Sequence, residues 1–134
     1  MRELTNLEMI AEAKTVLKPR QLSEHNSAGD VACALLSAAG NVYYGVCIDV
    51  GSGIGFCAEH SAIAAMITAG ETRIAKIVAV WGDGLVLPPC GRCREFMYQI
   101  DPTNLSNTIV VMSAGRSVRL ENLLPHPYQE VWET

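Results

Sequence analysis

Apolar positions near the start of the chain recur at helical spacing: Leu7, Ile10, Ala11 and Leu17 share one face until Pro19 ends the run. Thr5 and Glu8 have the spacing of a capping box and predict where this helix begins. From Gln21 to Asp30 the pattern turns polar, and Ser23, Asn26, Ser27 and Gly29 predict a loop. Two apolar runs follow, residues 31–37 and 41–48, joined by Ala38-Ala39-Gly40-Asn41 in the manner of an antiparallel hairpin. Gly51, Gly53 and Gly55 punctuate the next loop. It leads into a predicted helix over 57–69, which Gly70 is placed to stop. Ala58, Ala62, Ala65, Met66 and Ala69 give this helix a small-residue surface suited to close packing on a sheet.

Residues 74–81 read as a buried strand, and Pro88-Pro89 ends the loop after it. A helix over 91–100, a strand over 108–112 and a short helix over 120–124 complete the pattern. The order hairpin, helix, strand, helix, strand predicts an α/β fold, a mixed sheet with helices on its faces. No internal repeat or linker interrupts it, so residues 1–134 are expected to form a single domain.

Hydrophobic residues make up 49% of the chain and charged residues 18%, an ordinary globular balance. A net charge of −4 and the lack of any Lys/Arg-rich tract argue against a nucleic-acid polymer as partner and favour a small-molecule substrate. No apolar run approaches the roughly 20 residues that span a bilayer, and no signal-peptide pattern opens the chain; the expectation is a cytoplasmic protein. Five cysteines are an odd number for a disulfide framework.

Three of those cysteines stand at predicted helix starts. Cys57-Ala58-Glu59 opens one helix and Pro89-Cys90-Gly91-Arg92-Cys93 opens another. Thiolates are good zinc ligands, and three protein ligands leave a tetrahedral fourth position for water. Helix N-termini favour thiolates electrostatically. Glu59, two residues from Cys57, shares a site with it only at the helix tip, where it is placed to move protons for an activated water. Two other classes fit parts of the pattern. Cys90-x-x-Cys93 alone also describes a thioredoxin-like redox site, and the cysteines alone a non-catalytic zinc-binding module. Cys33 and Cys47, in apolar runs, read as core or near-site filler, and His25 and His126 as exposed.

The two motifs together, Cys57-Ala58-Glu59 and Pro89-Cys90-Gly91-Arg92-Cys93-Arg94, resemble the zinc signature of the cytidine deaminase family in its three-cysteine form. Leu123-Leu124-Pro125-x-x-Tyr128 is similar to the tail of its small tetrameric members, and Val131-Trp132-Glu133 resembles that of blasticidin S deaminase. The resemblance implies a three-layer α/β/α sandwich, a homotetramer, and one zinc ion per subunit held by Cys57, Cys90 and Cys93. It further implies a hydrolase that replaces the amino group of a cytosine-like nucleoside or base, with Glu59 as the catalytic acid and base. Nucleoside metabolism of the pyrimidine-salvage kind would be its setting. By the same resemblance Cys47, Asp49 and Ala58 contact substrate, His60 and Arg94 support the thiolates, and Tyr128 and Trp132 reach a neighbouring subunit's site.

Some positions depart from the family pattern. Its ribose-binding Asn-x-Glu is matched here by Cys47-Ile48-Asp49, which exchanges a strong amide partner for a weak thiol. Its aromatic residue before the first long strand falls at Gly29, and His60 takes the place of an arginine. These exchanges predict weak or absent turnover of cytidine itself, with a cytosine-like base, blasticidin S or another aminated heterocycle as alternatives.

Overall fold

The computed structural model describes residues 3–128. Its elements run α1 (Asn6–Lys14), β1 (Arg20–Ser23), β2 (Asn26–Ser37), β3 (Val42–Val50), α2 (Ala58–Thr68), β4 (Ile74–Trp81), β5 (Leu85–Leu87), α3 (Gly91–Ile100), α4 (Asn104–Asn107), β6 (Ile109–Ser113), β7 (Arg116–Arg119) and α5 (Leu120–Leu123). The strands form one sheet in the order β1-β2-β4-β6-β7, with β3 also on β2 and β5 also on β4. Only the β4–β6 pairing is parallel among them, so the sheet is mixed.

Strand alternation divides the core into two layers. Cys33 and Leu35 of β2 face one side, where they pack with Ala58, Ile63 and Met66 of α2 and Cys93 and Met97 of α3. Ala32, Ala34 and Leu36 face the other, with Met9 and Ala13 of α1. The α/β/α sandwich follows directly. The expected capping box closes α1: Thr5 accepts from the Glu8 N–H at 3.1 Å while Glu8 accepts from the Thr5 N–H at 3.0 Å.

The hairpin, both long helices and the strand β4 lie where the pattern places them. The stretch expected as a loop does not. Residues 20–23 and 26–30 are β-structure, turning at Glu24-His25, and β2 is longer by five residues than its apolar run. Every side chain of β1 is exposed, so this edge strand carries no apolar face to betray it. β7 is a short, largely solvated strand of the same kind and ends the sheet with Arg116 and Arg119 exposed, whereas β5 is apolar but only three residues long, its last two half-buried.

Three residues, Gly45, Ser61 and Asn104, set α2 and α3 on the sheet. Gly45 of β3 lies so close to α2 that a Cβ there would stand 2.3 Å from the Ala62 nitrogen and 2.5 Å from the Ala58 oxygen. The Ser61 hydroxyl also donates to the Val46 carbonyl at 2.7 Å. At the far end of α3, buried Asn104 accepts from the Ile74 N–H and donates to the Met97 carbonyl, both at 2.9 Å.

Gly45→Ala is expected to lower stability by about 1–3 kcal/mol, as overpacking typically does, because the new methyl has backbone rather than flexible side chain to displace. Denaturant titration of parent and variant reads this difference; equal midpoints would contradict the close approach.

Candidate active site

Cys57 and Cys90 occupy the N-cap positions of α2 and α3, with extended backbone (φ −71°, ψ 158° and φ −68°, ψ 167°) and no side-chain capping bond. A cap residue directs its side chain past the helix tip rather than along its wall, which turns both sulfurs toward the gap between the helices. Cys93, three residues into α3, faces the same gap and is fully buried. The Cys57 and Cys90 sulfurs are 3.4 Å apart, those of Cys90 and Cys93 3.5 Å. All three lie within 4.8 Å of one another. Tetrahedral coordination at about 2.3 Å per sulfur spaces the donors about 3.8 Å apart, so the cluster fits a zinc ion.

Its electrostatics fit as well. Burial pushes the Cys93 thiol far up, with the Glu59 charge adding to it. Burial raises Cys57 too, and its hydrogen bond with Cys90 adds to that. Burial also works against Cys90, but the backbone N–H groups of Cys93 and Arg92 and the neighbouring thiols outweigh it and hold that thiol below the usual range. Three sulfurs in contact do not ionise together unaided. A divalent cation removes that conflict by replacing the shared protons.

Glu59 lies in the first turn of α2 and is 5% exposed. Burial raises its carboxyl pKa, partly offset by its own backbone N–H and by Cys93. Cys57, Ala58, Glu59 and Cys90 line a pocket of about 590 Å³, within the range for small-molecule sites. The loop before Cys57 is pinned by a two-way backbone pairing of Ile48 with Phe56, both bonds 3.0 Å. Gly55 permits it, since a Cβ there would stand 2.0 Å from the Ile48 oxygen.

Cys47 and Asp49 of β3 line the same pocket, as does Asp30 of β2. Cys47 is only 7% exposed; its sulfur accepts from the Val31 N–H at 3.3 Å and its thiol donates to Asp49 at 3.5 Å. Gly29 is buried, at φ +87°, with its α-carbon against the Lys18 carbonyl, where a Cβ would stand 2.1 Å from the oxygen. A larger residue has no room at this position, and Gly29 does not line the pocket.

His60 Nδ1 is 3.2 Å from the Cys93 sulfur, and burial, then the Arg92 charge, holds its imidazole below the usual pKa. Arg94 donates to the Pro89 carbonyl at 2.8 Å and the Leu123 carbonyl at 3.2 Å, so it steadies the backbone just ahead of Cys90. The exposed Tyr128 donates its N–H to Glu95 at 2.9 Å; Trp132 lies outside the described residues. Buried Cys33 lies in the core cluster with Ala58 and Cys93, and burial, then the Glu59 charge, raises its thiol pKa. Sequence reasoning missed Asp30, Phe56 and Phe96. The first two lie in segments without a legible period, and Phe96 shows only as a residue three beyond Cys93.

Residues 7–111 match the family model for the cytidine and deoxycytidylate deaminase zinc-binding region. A cytidine deaminase of Mycobacterium tuberculosis is 32% identical over 99 residues, covering 73% of this chain and 71% of that protein. One of Halalkalibacterium halodurans is 33% identical over 75 residues, covering 55% and 57%. In structure, cytidine deaminase from Mycobacterium tuberculosis superposes with a TM-score of 0.77 at 26% identity, covering 94% of this chain and 98% of that one. The enzyme from Mycobacterium leprae gives 0.68 at 27% identity, covering 91% and 95%.

Cys93→Ala is expected to abolish stoichiometric zinc, read by metal analysis of the purified protein. Chelation of the parent is expected to remove about 2.7 kcal/mol of apparent stability relative to protein held at about 100 times the dissociation constant in zinc. A variant that keeps one zinc per chain would contradict the three-sulfur site.

Proposed function

Since the chain belongs to the cytidine and deoxycytidylate deaminase family, we propose that Cys57, Cys90 and Cys93 hold its zinc and that Glu59 carries the protons of its reaction. The protein is a zinc-dependent hydrolytic deaminase of cytosine nucleosides, exchanging the ring amino group for a carbonyl with release of ammonia. Family membership disfavours the dithiol redox protein, the non-catalytic zinc module and the non-standard substrates. The observation that carries the site assignment is a nearly buried carboxylate, Glu59, lining a pocket with Cys57 and Cys90, whose sulfurs cluster with that of buried Cys93.

When bound, zinc supplies a Lewis acid that makes water nucleophilic at neutral pH. The protein's own residues do the rest. Glu59, kept ready to hold a proton by its burial, takes a proton from the attacking water and gives it to the ring nitrogen. It then takes the second from the hydroxyl so added to the ring carbon and passes it to the amine, which departs as ammonia and leaves the carbonyl. Ala58, buried at the helix tip, forms pocket wall against the base. Asp49 accepts from a sugar hydroxyl, and Cys47 orients Asp49 through its thiol rather than replacing the missing amide. The weak sulfur bond in place of the amide is why turnover of cytidine itself is expected to be weak.

Other parts of the proposal rest on the family likeness: a homotetramer, cytoplasmic location and a role in pyrimidine salvage. Ile54, Phe56, Trp81 and Leu85 are exposed large apolar side chains on segments flanking the pocket, which favours assembly. We further assign Tyr128 and Trp132 to a neighbouring subunit's site. Among the described residues no helix is long and apolar enough to cross a membrane.

Glu59→Gln is expected to retain zinc while ammonia release from cytidine or deoxycytidine falls about 10²- to 10⁴-fold. Asp49→Ala is expected to raise KM for cytidine and leave kcat largely unchanged. Full activity in the Gln variant overturns the role of Glu59; an Asp49 variant altered in kcat alone overturns the sugar contact.

A further inference from the structure

Cys93 differs from the other two sulfurs in being sealed from solvent, whereas Cys90 is exposed and Cys57 half-buried. Its charge as a metal ligand must be balanced by protein donors. The donor that faces it from α2 is His60 Nδ1, at 3.2 Å. A metal-bound thiolate has no proton to give, so the proton in that contact sits on Nδ1. An imidazole turns freely about its side-chain bonds unless something holds its plane. Phe96, one turn along α3 from Cys93, stacks on it with ring centroids 4.6 Å apart and planes inclined by 18°. Phe96 is itself half-buried and packed against the core cluster that contains Cys93 and Met97.

We infer that Phe96 is a positioning residue for the metal centre: by stacking on His60 it holds the imidazole with Nδ1–H directed at the Cys93 sulfur. Ligand, donor and clamp thus join α2 and α3 across the gap where the metal sits. Phe96 touches neither substrate nor metal, and it acts through His60 alone. The inference rests on the zinc centre proposed above.

The test uses the full chain, loaded with zinc or with cobalt in its place. Phe96→Leu keeps apolar bulk and loses the stack; Phe96→Tyr keeps both. Removal of a supporting contact of this kind costs about 10- to 100-fold in metal affinity. Chelator competition is expected to show a loss of that size in Phe96→Leu and near-parent affinity in Phe96→Tyr. The thiolate-to-cobalt charge-transfer band is expected to shift in the Leu variant and to return in the Tyr variant. In a His60→Ala background, Phe96→Leu is expected to add nothing further. Parent-like affinity and an unshifted band in Phe96→Leu, or losses that simply add in the double variant, overturn the inference while leaving the zinc site intact. A parent that takes up no zinc and gives no thiolate–cobalt band overturns the centre and this inference together.

Discussion

The site depends on one constraint, the convergence of two helix N-termini. A cysteine in the body of a helix looks sideways, at neighbours on its own face. At a cap it looks beyond the end, and the caps of α2 and α3 look at the same space. Neither cap sulfur is spent on a conventional capping bond. The free N–H groups and the aligned peptide dipoles then favour negative charge where three sulfurs must share it. Glu59 gains its position from the same device, since only at a helix tip do residues two apart reach a common point.

Convergence in turn depends on how tightly the helices sit. Gly45 and the alanines of α2 bring that helix's backbone onto β3, and buried Asn104 ties α3 to the start of β4. Both helices lie on the same layer of the sandwich, over the Cys33 and Leu35 side of β2. The strands also supply the opposite wall of the pocket through Cys47 and Asp49. The groups proposed for catalysis and binding are therefore held by one sheet and the helices packed on it.

Much of this was legible in the sequence, and the reasons differ by element. The long helices announce themselves through their caps and apolar positions, and β2–β4 through unbroken apolar runs, because β2 and β4 bury both faces. The cap cysteines and Glu59 announce themselves through chemistry: unusual residues at helix starts. β1 and β7 do not, since solvated strands impose no alternation, and β5 does not because three residues are too few to show a period. Gly29 shows the limit of position-by-position comparison. It stands where the family has an aromatic residue, a change that counts against cytidine on sequence alone, whereas Gly29 packs its backbone on Lys18 and does not line the pocket. Phe96 was hidden for a related reason. An aromatic residue on an amphipathic helix reads as core, and only its neighbour across the gap gives it a second task.

The arginines on β7 have a consequence for how the sheet meets other molecules. A terminal strand offers unpaired N–H and C=O groups to any extended peptide that comes by. Arg116 and Arg119 line that border with like charge and bulk, so a second copy approaching edge-on meets repulsion before it finds register. The β7 edge is thereby guarded against runaway strand addition.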